Sequence, residues 1–542
     1  MTGADVAGPL TALAGPLALL WPDPSSWGLF GHTVRGTVVV LVQLLAWPVL
    51  LYVLAINSSY LVLIGLAGAD MGRYLRRARI RGVEDASASP LTQAVSVVMP
   101  AFDEEASVVG SVSAMLALRH PRHEVVVVDD GSRDATFALL REAFDLVEVP
   151  RRLTDEVPVR GAVRSVHVPR GGRSPLVVVR KDNGGRADAV NAGINAARHE
   201  LVCITDADSV LDPDALLTVS RPFADDPLRV IATGGAVRAV NGSELVGGRV
   251  VGVRMPRGWT ARFQVVEYLR AFCVGRSGWS RLQSLVLISG AFGMYRRDVL
   301  VEVGGLDATC IGEDFELTLR LHRYMREAGR DHRVVFVPEP ASWTEVPATT
   351  AVLARQRRRW QRGLAETLWR HRRMVGNPRY GRIGLLALPY YVLFELVAPV
   401  IELVGVVLTP LAVGLGVVPW EAALLLMALC YGYAVVVTVA ALLVEELSFH
   451  RSQRWRDLGR GLAAAVLENC GHRQLTALWR VQGLWSLLRG QRQVWGAMDR
   501  QGLAASGAAS SAASSAPSQV RLPATAELAG PGRRRAGAEV LR

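Results

Sequence analysis

The sequence is almost free of lysine, and its few cysteines are widely spaced. Of its 61 basic side chains only Lys181 is not an arginine, which fits a genomic bias toward arginine and singles out the one position that keeps a lysine. The cysteines lie far apart and form no Cys-x-x-Cys pair, which disfavours a disulfide framework or a zinc knuckle. We expect them to be small buried side chains in a reducing compartment. They are Cys203, Cys273, Cys310, Cys430 and Cys470.

Charged residues are also scarce. Only 20% of the 542 residues are charged and 50% are hydrophobic, which excludes an intrinsically disordered chain. With 52 glycines and 27 prolines, the chain has too few of both for a collagen-like protein. Because the apolar residues are concentrated in long uncharged runs, a purely soluble protein is disfavoured as well.

The formal net charge of +12 raises the question of a nucleic-acid partner. The arginines cluster beside the apolar runs and in the C-terminal tail, and this distribution argues against nucleic acid. It favours contact with membrane lipids, whose anionic headgroups attract basic segments next to a membrane helix.

Three apolar stretches are predicted to cross a membrane. Residues 36–69 contain no charged side chain, and about 20 apolar residues are enough for one crossing. Residues 384–445 are predicted to form two further membrane helices, joined by a short turn at Pro419. Arginines follow the first stretch and the last one, so by the positive-inside rule both of these ends face the cytoplasm. We therefore expect a multi-pass protein of the plasma membrane with its soluble part in the cytoplasm.

The flanking segments are assigned by composition. Residues 1–35 are read as an N-terminal segment, in which the short run Leu10–Leu20 is expected to lie in the membrane interface. Residues 457–500 read as amphipathic helices that lie in the interface or pack on the protein. Residues 502–542 are rich in alanine, serine, proline and glycine and are predicted to be a disordered tail.

Residues 95–345 have the pattern of a soluble α/β domain, followed by an interfacial region at 346–380. Short β-branched runs alternate with helical patterns, which predicts a mostly parallel sheet. The Arg- and Pro-rich segment Pro150–Pro175 breaks this rhythm and is read as a loop or a β-hairpin insert. The predicted strands are VSVVMP, EVVVVDDGS, PLVVVRK, ELVCITDADS, RVIATGG and RVVFVPE.

Two of these strands end in paired carboxylates. Asp129 and Asp130 follow a run of valines, and ligands of open α/β sheets bind at that end of the strands. The pair suits hydrogen bonding to a base or ribose, although aspartate before glycine also favours a turn. Asp206 and Asp208 follow the next such strand with one residue between them. Two carboxylates there suit a hard divalent cation, which also takes phosphate oxygens.

A third acidic pair and a basic helix lie further along the chain. Glu313 and Asp314 begin a helical pattern, where the helix dipole favours acidic residues and where one of them could serve as a general base. Gln356, Arg359 and Trp360 share one face of a later helix and offer a surface for a diphosphate and a sugar ring. A basic helix held against lipid headgroups is the alternative for that segment.

In this order the four motifs resemble the processive membrane glycosyltransferases of family 2, the group of the cellulose, chitin and hyaluronan synthases. The match is an aspartate at a strand end, a DxD motif, an ED pair and a QxxRW motif before membrane helices. Within that family the chain is most similar to the bacterial synthases of poly-β-1,6-N-acetylglucosamine, on the segments Lys181–Gly193 and Trp343–Pro347. It departs from them at Arg186, where a lysine is usual, and at Asp103, where an asparagine is usual.

The resemblance implies a nucleotide-diphospho-sugar transferase fold, of the GT-A type, set between transmembrane helices. It implies inverting transfer from a UDP-sugar, with Mg²⁺ or Mn²⁺ bound through Asp206 and Asp208 and with Asp314 as the general base. It also implies that the acceptor is a polysaccharide or glycolipid, and it is compatible with an accessory membrane subunit. The other substrate-binding positions carried over are Asp129, Asp130, Lys181, Glu313, Gln356, Arg359 and Trp360.

Two alternative functions follow from the same residues. One is a non-processive enzyme that adds a single sugar to a lipid, against which the QxxRW motif argues. The other is a catalytically silent membrane subunit that binds a nucleotide sugar or polymer, against which the complete set of carboxylates argues. A further hypothesis concerns Glu395 and Glu402, seven residues apart and so on one helix face, which we expect to line a polar passage unless they lie among the headgroups.

Overall fold

The computed structural model describes residues 29–80, 92–172, 174–246, 248–449 and 455–491. The expectations for Leu10–Leu20 and for the tail at 502–542 lie outside these residues.

Ten strands form one sheet within the described residues, in the order β3-β4-β5-β2-β1-β6-β11-β8-β12-β7. Strands β5, β2, β1 and β6 run parallel and form its centre, and β12 runs parallel to β8. A separate hairpin is made by β9 and β10. The strands are β1 Val95–Ala101, β2 His123–Asp129, β3 Leu146–Val149, β4 Val163–Pro169, β5 Leu176–Lys181, β6 Leu201–Thr205, β7 Val210–Leu211, β8 Val230–Ala239, β9 Glu244–Val246, β10 Arg249–Gly252, β11 Phe292–Arg296 and β12 Arg333–Thr344.

The six strands expected from sequence are β1, β2, β5, β6, β8 and β12. Their β-branched runs are buried on both faces, as in Val125–Val128, because helices cover the sheet on either side. Strand β11 was not expected, and it lies antiparallel between β6 and β8. The predicted α/β nucleotide-diphospho-sugar fold with a parallel centre is confirmed.

The segment Pro150–Pro175 contains one strand, β4, which pairs antiparallel with both β3 and β5. It therefore extends the edge of the main sheet, and the rest of the segment before β4 is loop.

The helices of the chain fall into three groups: those that cover the sheet, the long apolar helices, and two amphipathic helices near the C-terminus. They are α1 Leu29–Ile80, α2 Val108–Leu116, α3 Thr136–Ala143, α4 Arg186–Ala196, α5 Ala215–Asp225, α6 Trp259–Leu269, α7 Ser277–Arg281, α8 Arg297–Glu302, α9 Glu313–Glu327, α10 Thr350–Arg370, α11 Leu388–Tyr390, α12 Ala398–Gly414, α13 Trp420–Phe449, α14 Trp455–Leu467 and α15 Arg473–Leu488.

Three helical stretches in the described part of the chain are long and apolar enough to cross a membrane. They are Arg35–Arg73, Ile383–Gly414 and Trp420–Val444. The second is irregular, with π-helical turns at Ile383–Ala387 and Tyr391–Leu396. Pro389 and Pro399 account for the irregularity, because proline donates no backbone hydrogen bond and its ring clashes with the preceding turn.

Helix α15 packs along α10, which carries the QxxRW motif. At their crossing a Cβ on Gly483 would lie 2.5 Å from the carbonyl oxygen of Arg358, so only glycine allows this approach. Trp485 and Leu488 of α15 remain exposed on the opposite side. The helix thus has one face on the protein and one exposed face that carries apolar side chains.

Candidate active site

The sequence motifs converge on one large cavity of about 1760 Å³. It lies over the carboxyl ends of the parallel strands, where β2 delivers Asp130 and β6 delivers Asp206 and Asp208. The first turn of α9 and one face of α10 form the opposite wall. Eight of the ten predicted site residues line it: Asp130, Asp206, Asp208, Glu313, Asp314, Gln356, Arg359 and Trp360.

Asp130 organises the loop at one end of the cavity. Its carboxylate accepts hydrogen bonds from the backbone N–H groups of Gly184 at 3.0 Å and Gly185 at 2.8 Å. The Asn183 side chain donates to the Asp130 carbonyl at 2.9 Å. Burial raises the pKa of Asp130, and the donors around it oppose that shift. The loop before α4 is therefore fixed by this one side chain.

Lys181 lies beneath this loop rather than in the cavity. Its side chain is fully buried, with Nζ 2.5 Å from an oxygen of Asp130 and 2.8 Å from an oxygen of Asp188. It also donates to the Asp182 carbonyl at 2.6 Å. With two carboxylates and a carbonyl as partners, the ammonium is paired within the protein, as a buried charge requires. A direct contact of Lys181 with a nucleotide therefore stays a prediction, and its geometry is that of a residue positioning Asp130.

Asp129 is the other predicted residue that does not line the cavity. It is buried at the end of β2, and one carboxylate oxygen accepts a hydrogen bond from Ser132 N–H at 3.0 Å. Arg180 approaches its other oxygen at 3.5 Å and stacks over the Phe137 ring. Asp129 thus stabilises the turn that follows β2 through Ser132, while Asp130, the aspartate that precedes Gly131, lines the cavity.

The DxD motif follows β6 directly. The Ser111 hydroxyl donates to the Ala207 carbonyl at 2.6 Å and fixes the backbone between the two carboxylates. Within the described residues no group of three or more His, Cys, Asp or Glu side chains could hold a metal by itself. Two carboxylates beside an open cavity still fit a hard cation that completes its oxygen shell with water and the phosphates of a nucleotide. Asp206 and Asp208 are the residues that would hold it.

Asp314 lies across the cavity, in the first turn of α9. One carboxylate oxygen accepts a hydrogen bond from Gly290 N–H at 3.1 Å, and the other accepts one from Phe315 N–H at 2.8 Å. These two hydrogen bonds hold the carboxylate in place beside the cavity, as the positioning of a general base requires. Its neighbour Glu313 is buried, and burial raises the pKa of Glu313. Both carboxylates thus line the cavity, and Glu313 is the more buried of the two.

Helices α9 and α10 meet at a contact between two glycines. A Cβ on Gly363 would lie 3.0 Å from the Cα of Gly312, so any larger residue would push the helices apart. Gly312 immediately precedes Glu313 and Asp314. This contact therefore sets how closely the acidic pair approaches the QxxRW face.

The QxxRW residues all face the cavity. The side-chain oxygen of Gln356 is buried without a hydrogen-bond partner among the described residues. Burial lowers the pKa of Arg359, while the carboxylates across the cavity oppose that shift. Trp360 is 43% exposed, and the guanidinium of Arg357 lies 4.4 Å from its ring centroid. One indole face is thus taken by Arg357, and the exposed remainder is available to a ligand.

Among the cavity residues that were not predicted as site residues, two arginines lie beside the acidic motifs. Arg186 bonds to the acidic motifs directly, and in the sequence it stood out only as a departure from the usual lysine. Arg276 lines the same cavity as Asp314, and one of its guanidinium nitrogens has no hydrogen-bond partner among the described residues. Burial lowers the pKa of Arg276 to about 10. No sequence pattern around Arg276 would have singled it out.

The same cavity continues between the apolar helices. Tyr52 of α1 and Phe394 pack against each other there, with ring centroids 5.2 Å apart. Glu395 and Glu402 both line this part, and each forms an ion pair with α15: Glu395 with Arg480 at 3.3 Å and Glu402 with Arg473 at 3.0 Å. The two carboxylates therefore share one face, and each has an arginine partner.

Fold and site together define a class of protein. A parallel-centred sheet with a DxD motif at its carboxyl end, an acidic pair opposite and an open cavity between them is the arrangement of a glycosyltransferase of the GT-A type. A family model described as "Glycosyltransferase like family 2" matches residues 92–363, half of the chain. The chain belongs to glycosyltransferase family 2.

Similar proteins are found among curated sequences and solved structures. The poly-β-1,6-N-acetyl-D-glucosamine synthase of Staphylococcus epidermidis is 28% identical over 284 residues, 51% of this chain and 56% of that protein. The synthase of the same name from Staphylococcus aureus is 26% identical over 279 residues, with the same shares. The chain thus spans about half the length of the curated relatives it matches. A mannosyltransferase structure from Pyrobaculum calidifontis, with GDP-mannose and Mn²⁺, aligns with a TM-score of 0.43 at 20% identity, over 76% of this chain and 99% of that one.

Proposed function

We propose that this enzyme transfers N-acetylglucosamine from UDP-N-acetylglucosamine to a growing polysaccharide at the cytoplasmic face of the plasma membrane. The observation that carries the proposal is the continuity of the cavity from the acidic motifs to the space between the apolar helices. A product elongated at the carboxylates would have a route onward through that space. The names of the curated relatives support the choice of sugar.

The donor would bind with its nucleotide toward Asp130 and with its pyrophosphate toward the DxD motif. Asp206 and Asp208 would hold Mg²⁺ or Mn²⁺ there, and the ion would offset the negative charge of the leaving diphosphate. The Gly184 and Gly185 N–H groups and the Asn183 amide donate to Asp130, so they would hold the loop in place beside the nucleotide. This arrangement separates the base of the nucleotide from the reacting sugar carbon.

Asp314 would act as the general base. The acceptor hydroxyl attacks the anomeric carbon of the donor, forming the new glycosidic bond as the bond from that carbon to the diphosphate breaks. The hydroxyl proton passes to the Asp314 carboxylate, which the Gly290 N–H and the helix N-terminus hold in position. Because attack comes from the side opposite the leaving group, one such displacement inverts the configuration at the anomeric carbon.

The acceptor end of the polymer would rest on α10. Gln356 offers a buried oxygen without a partner among the described residues, and Trp360 offers an exposed part of its ring. Arg359 would contact the diphosphate. An aromatic surface next to hydrogen-bonding groups is well suited to a sugar ring, which has an apolar face and a polar rim.

The membrane arrangement follows from charge and apolar length. Arginines follow the first and the last apolar helix, which supports a cytoplasmic position for both of these ends and for the catalytic domain. The paired charges of Glu395, Glu402, Arg473 and Arg480 support a polar lining between the helices, since intramembrane ions are paired or face a wet cavity. We propose processive synthesis on this basis.

A panel of UDP-sugars tests the proposal. Purified full-length protein in detergent or nanodiscs is supplied with each sugar and either Mg²⁺ or Mn²⁺, and UDP release and the length and linkage of the product are measured. UDP-N-acetylglucosamine should give the fastest UDP release and a long polymer. Transfer of a single sugar to a lipid would instead establish the non-processive alternative, and preference for another donor would reject the assignment of the sugar.

A further inference from the structure

Arg186 lies at the centre of the acidic site. It is the first residue of α4, directly after the loop that Asp130 fixes, and its side chain is 14% exposed. Its Nε and Nη2 lie 2.8 Å and 2.7 Å from the same oxygen of Asp206. Its Nη1 donates to Glu313 at 3.0 Å, and its Nη2 also donates to the carbonyl of Gly290 at 2.6 Å.

These bonds join three separate parts of the chain. Asp206 belongs to the DxD motif, Glu313 to the acidic pair and Gly290 to the turn before β11, whose N–H holds Asp314. A Cβ at position 290 would lie 3.2 Å from a nitrogen of the guanidinium, so a larger residue there would crowd Arg186. The planar guanidinium has five N–H donors in a fixed fork, and a lysine has one nitrogen that could not reach all three partners.

The carboxylates around Arg186 need a positive charge nearby to offset their mutual repulsion. Asp206, Asp208, Glu313 and Asp314 all line the same cavity, and like charges this close repel one another. Arg186 bonds to two of them. Its contacts with Asp206 use one carboxylate oxygen only, so the bond fixes that carboxylate without engaging its second oxygen.

We propose that Arg186 is a positioning residue that bridges the DxD motif and the acidic pair. Its positive charge offsets part of the negative charge of these carboxylates, so that one divalent ion is enough for the reaction. This inference rests on the proposed function, because it assumes that a divalent ion binds at the DxD motif. In this proposal the partners of Arg186 are the carboxylates of the protein and not the diphosphate of the donor.

Binding of Mn²⁺ to the full-length protein without substrate, followed by electron paramagnetic resonance, tests this assignment. Arg186→Gln removes the positive charge, so Mn²⁺ should bind about tenfold more tightly than to the wild type, because the cation gains uncompensated carboxylates. Turnover should nevertheless fall about a hundredfold, since Asp206 and Glu313 lose the group that orients them. Arg186→Lys keeps the charge, so its Mn²⁺ affinity should stay near wild type while its turnover falls.

The control is Arg229→Gln, which removes one positive charge at a half-exposed ion pair with Asp226, away from the cavity. It should change neither Mn²⁺ binding nor turnover. If Arg186→Gln is too unstable to purify, Arg186→Lys still distinguishes the two roles of Arg186. A cation that binds the diphosphate would retain turnover when its charge is kept, whereas a residue that bridges the carboxylates would not. Unchanged or weaker Mn²⁺ binding in Arg186→Gln, together with weaker UDP binding, would overturn the inference. If the wild type itself bound no Mn²⁺ even with UDP, the metal assignment of the proposed function would fail with it.

Discussion

Arg480 donates to the backbone carbonyl of Glu395 at 2.6 Å, and that carbonyl has no helical donor because the residue four positions later is Pro399. In a regular helix the N–H of residue 399 would make this bond, and proline has none. Arg480 also donates to the side-chain oxygen of Gln361 on α10 at 2.7 Å. One side chain of α15 therefore joins the helix of the QxxRW motif to the break in an apolar helix.

Replacing Arg480 by alanine should weaken this junction. The Glu395 carbonyl and carboxylate would lose their charged donor, and the carbonyl would keep the longer contact from the Gln361 amide at 3.4 Å. A hydrogen bond to a charged group contributes about 1.5–3 kcal/mol, and the partial exposure of Glu395 to solvent lowers this figure. We expect a lower melting temperature in detergent and reduced polymer synthesis, with UDP binding close to normal. Arg489→Ala is the control, because Arg489 directly follows the same helix and its guanidinium stacks on the exposed Trp485. Equal effects of the two substitutions would contradict a specific role for Arg480.

Asp208→Asn should remove turnover without unfolding the protein. A carboxylate at a strand end contributes little to the core, while an uncharged amide is a poor ligand for a hard divalent cation. Activity in Mg²⁺ and in Mn²⁺ is measured beside thermal unfolding. Asp145→Asn, at an exposed ion pair with Arg170, is the matched control and should keep full activity. Undiminished turnover in Asp208→Asn would reject the DxD assignment.

Asp314→Asn should abolish sugar transfer and leave UDP binding close to the wild-type value. The amide oxygen can still accept the hydrogen bond from Gly290, but it cannot take the proton of the acceptor, a loss of roughly 10²–10⁴-fold. Transfer rates and UDP binding by calorimetry distinguish the two steps. Asp298→Asn, also in the first turn of a helix but paired on the surface with Arg296, should change neither. Loss of UDP binding in Asp314→Asn would place this residue with the nucleotide instead.

The double variant Glu395→Gln and Glu402→Gln tests the passage between the apolar helices. Expression should stay normal, while polymer output should fall more than UDP-sugar hydrolysis, because Arg473 and Arg480 would lose their ionic partners along the route. Glu421→Gln, in the exposed first turn of α13, serves as the control. If polymer yield and hydrolysis both stay at wild-type levels in the double variant, the passage hypothesis fails.

The central strands and the acidic motifs could be predicted because their signals are local. A short apolar run followed by Asp129 or by Asp206 predicts a buried strand and the residue at its end within about ten positions. Pro399 likewise predicts a break in its helix. These features depend on residues that are close in sequence, so the sequence pattern is sufficient to predict them.

What could not be predicted depends on contacts between distant parts of the chain. Strand β11 is short and begins in a small-residue stretch, and only its pairing with β6 and β8 makes it a strand. Arg186 and Glu313 are 127 positions apart, and Arg480 and Glu395 are 85 apart. Among 61 basic side chains, nearly all of them arginine, no pattern identifies the few that are buried against carboxylates.

The most direct test of the whole account is the size of the product early in synthesis. Full-length protein in nanodiscs is first given labelled UDP-N-acetylglucosamine with Mn²⁺. An excess of unlabelled donor is then added as a chase. Product length is measured at early times, while most enzyme molecules have started only one chain. The account predicts a few long labelled chains that lengthen further during the chase, and no product from Asp314→Asn. Many short products that do not lengthen, or polymer made equally well by the variant, would contradict it.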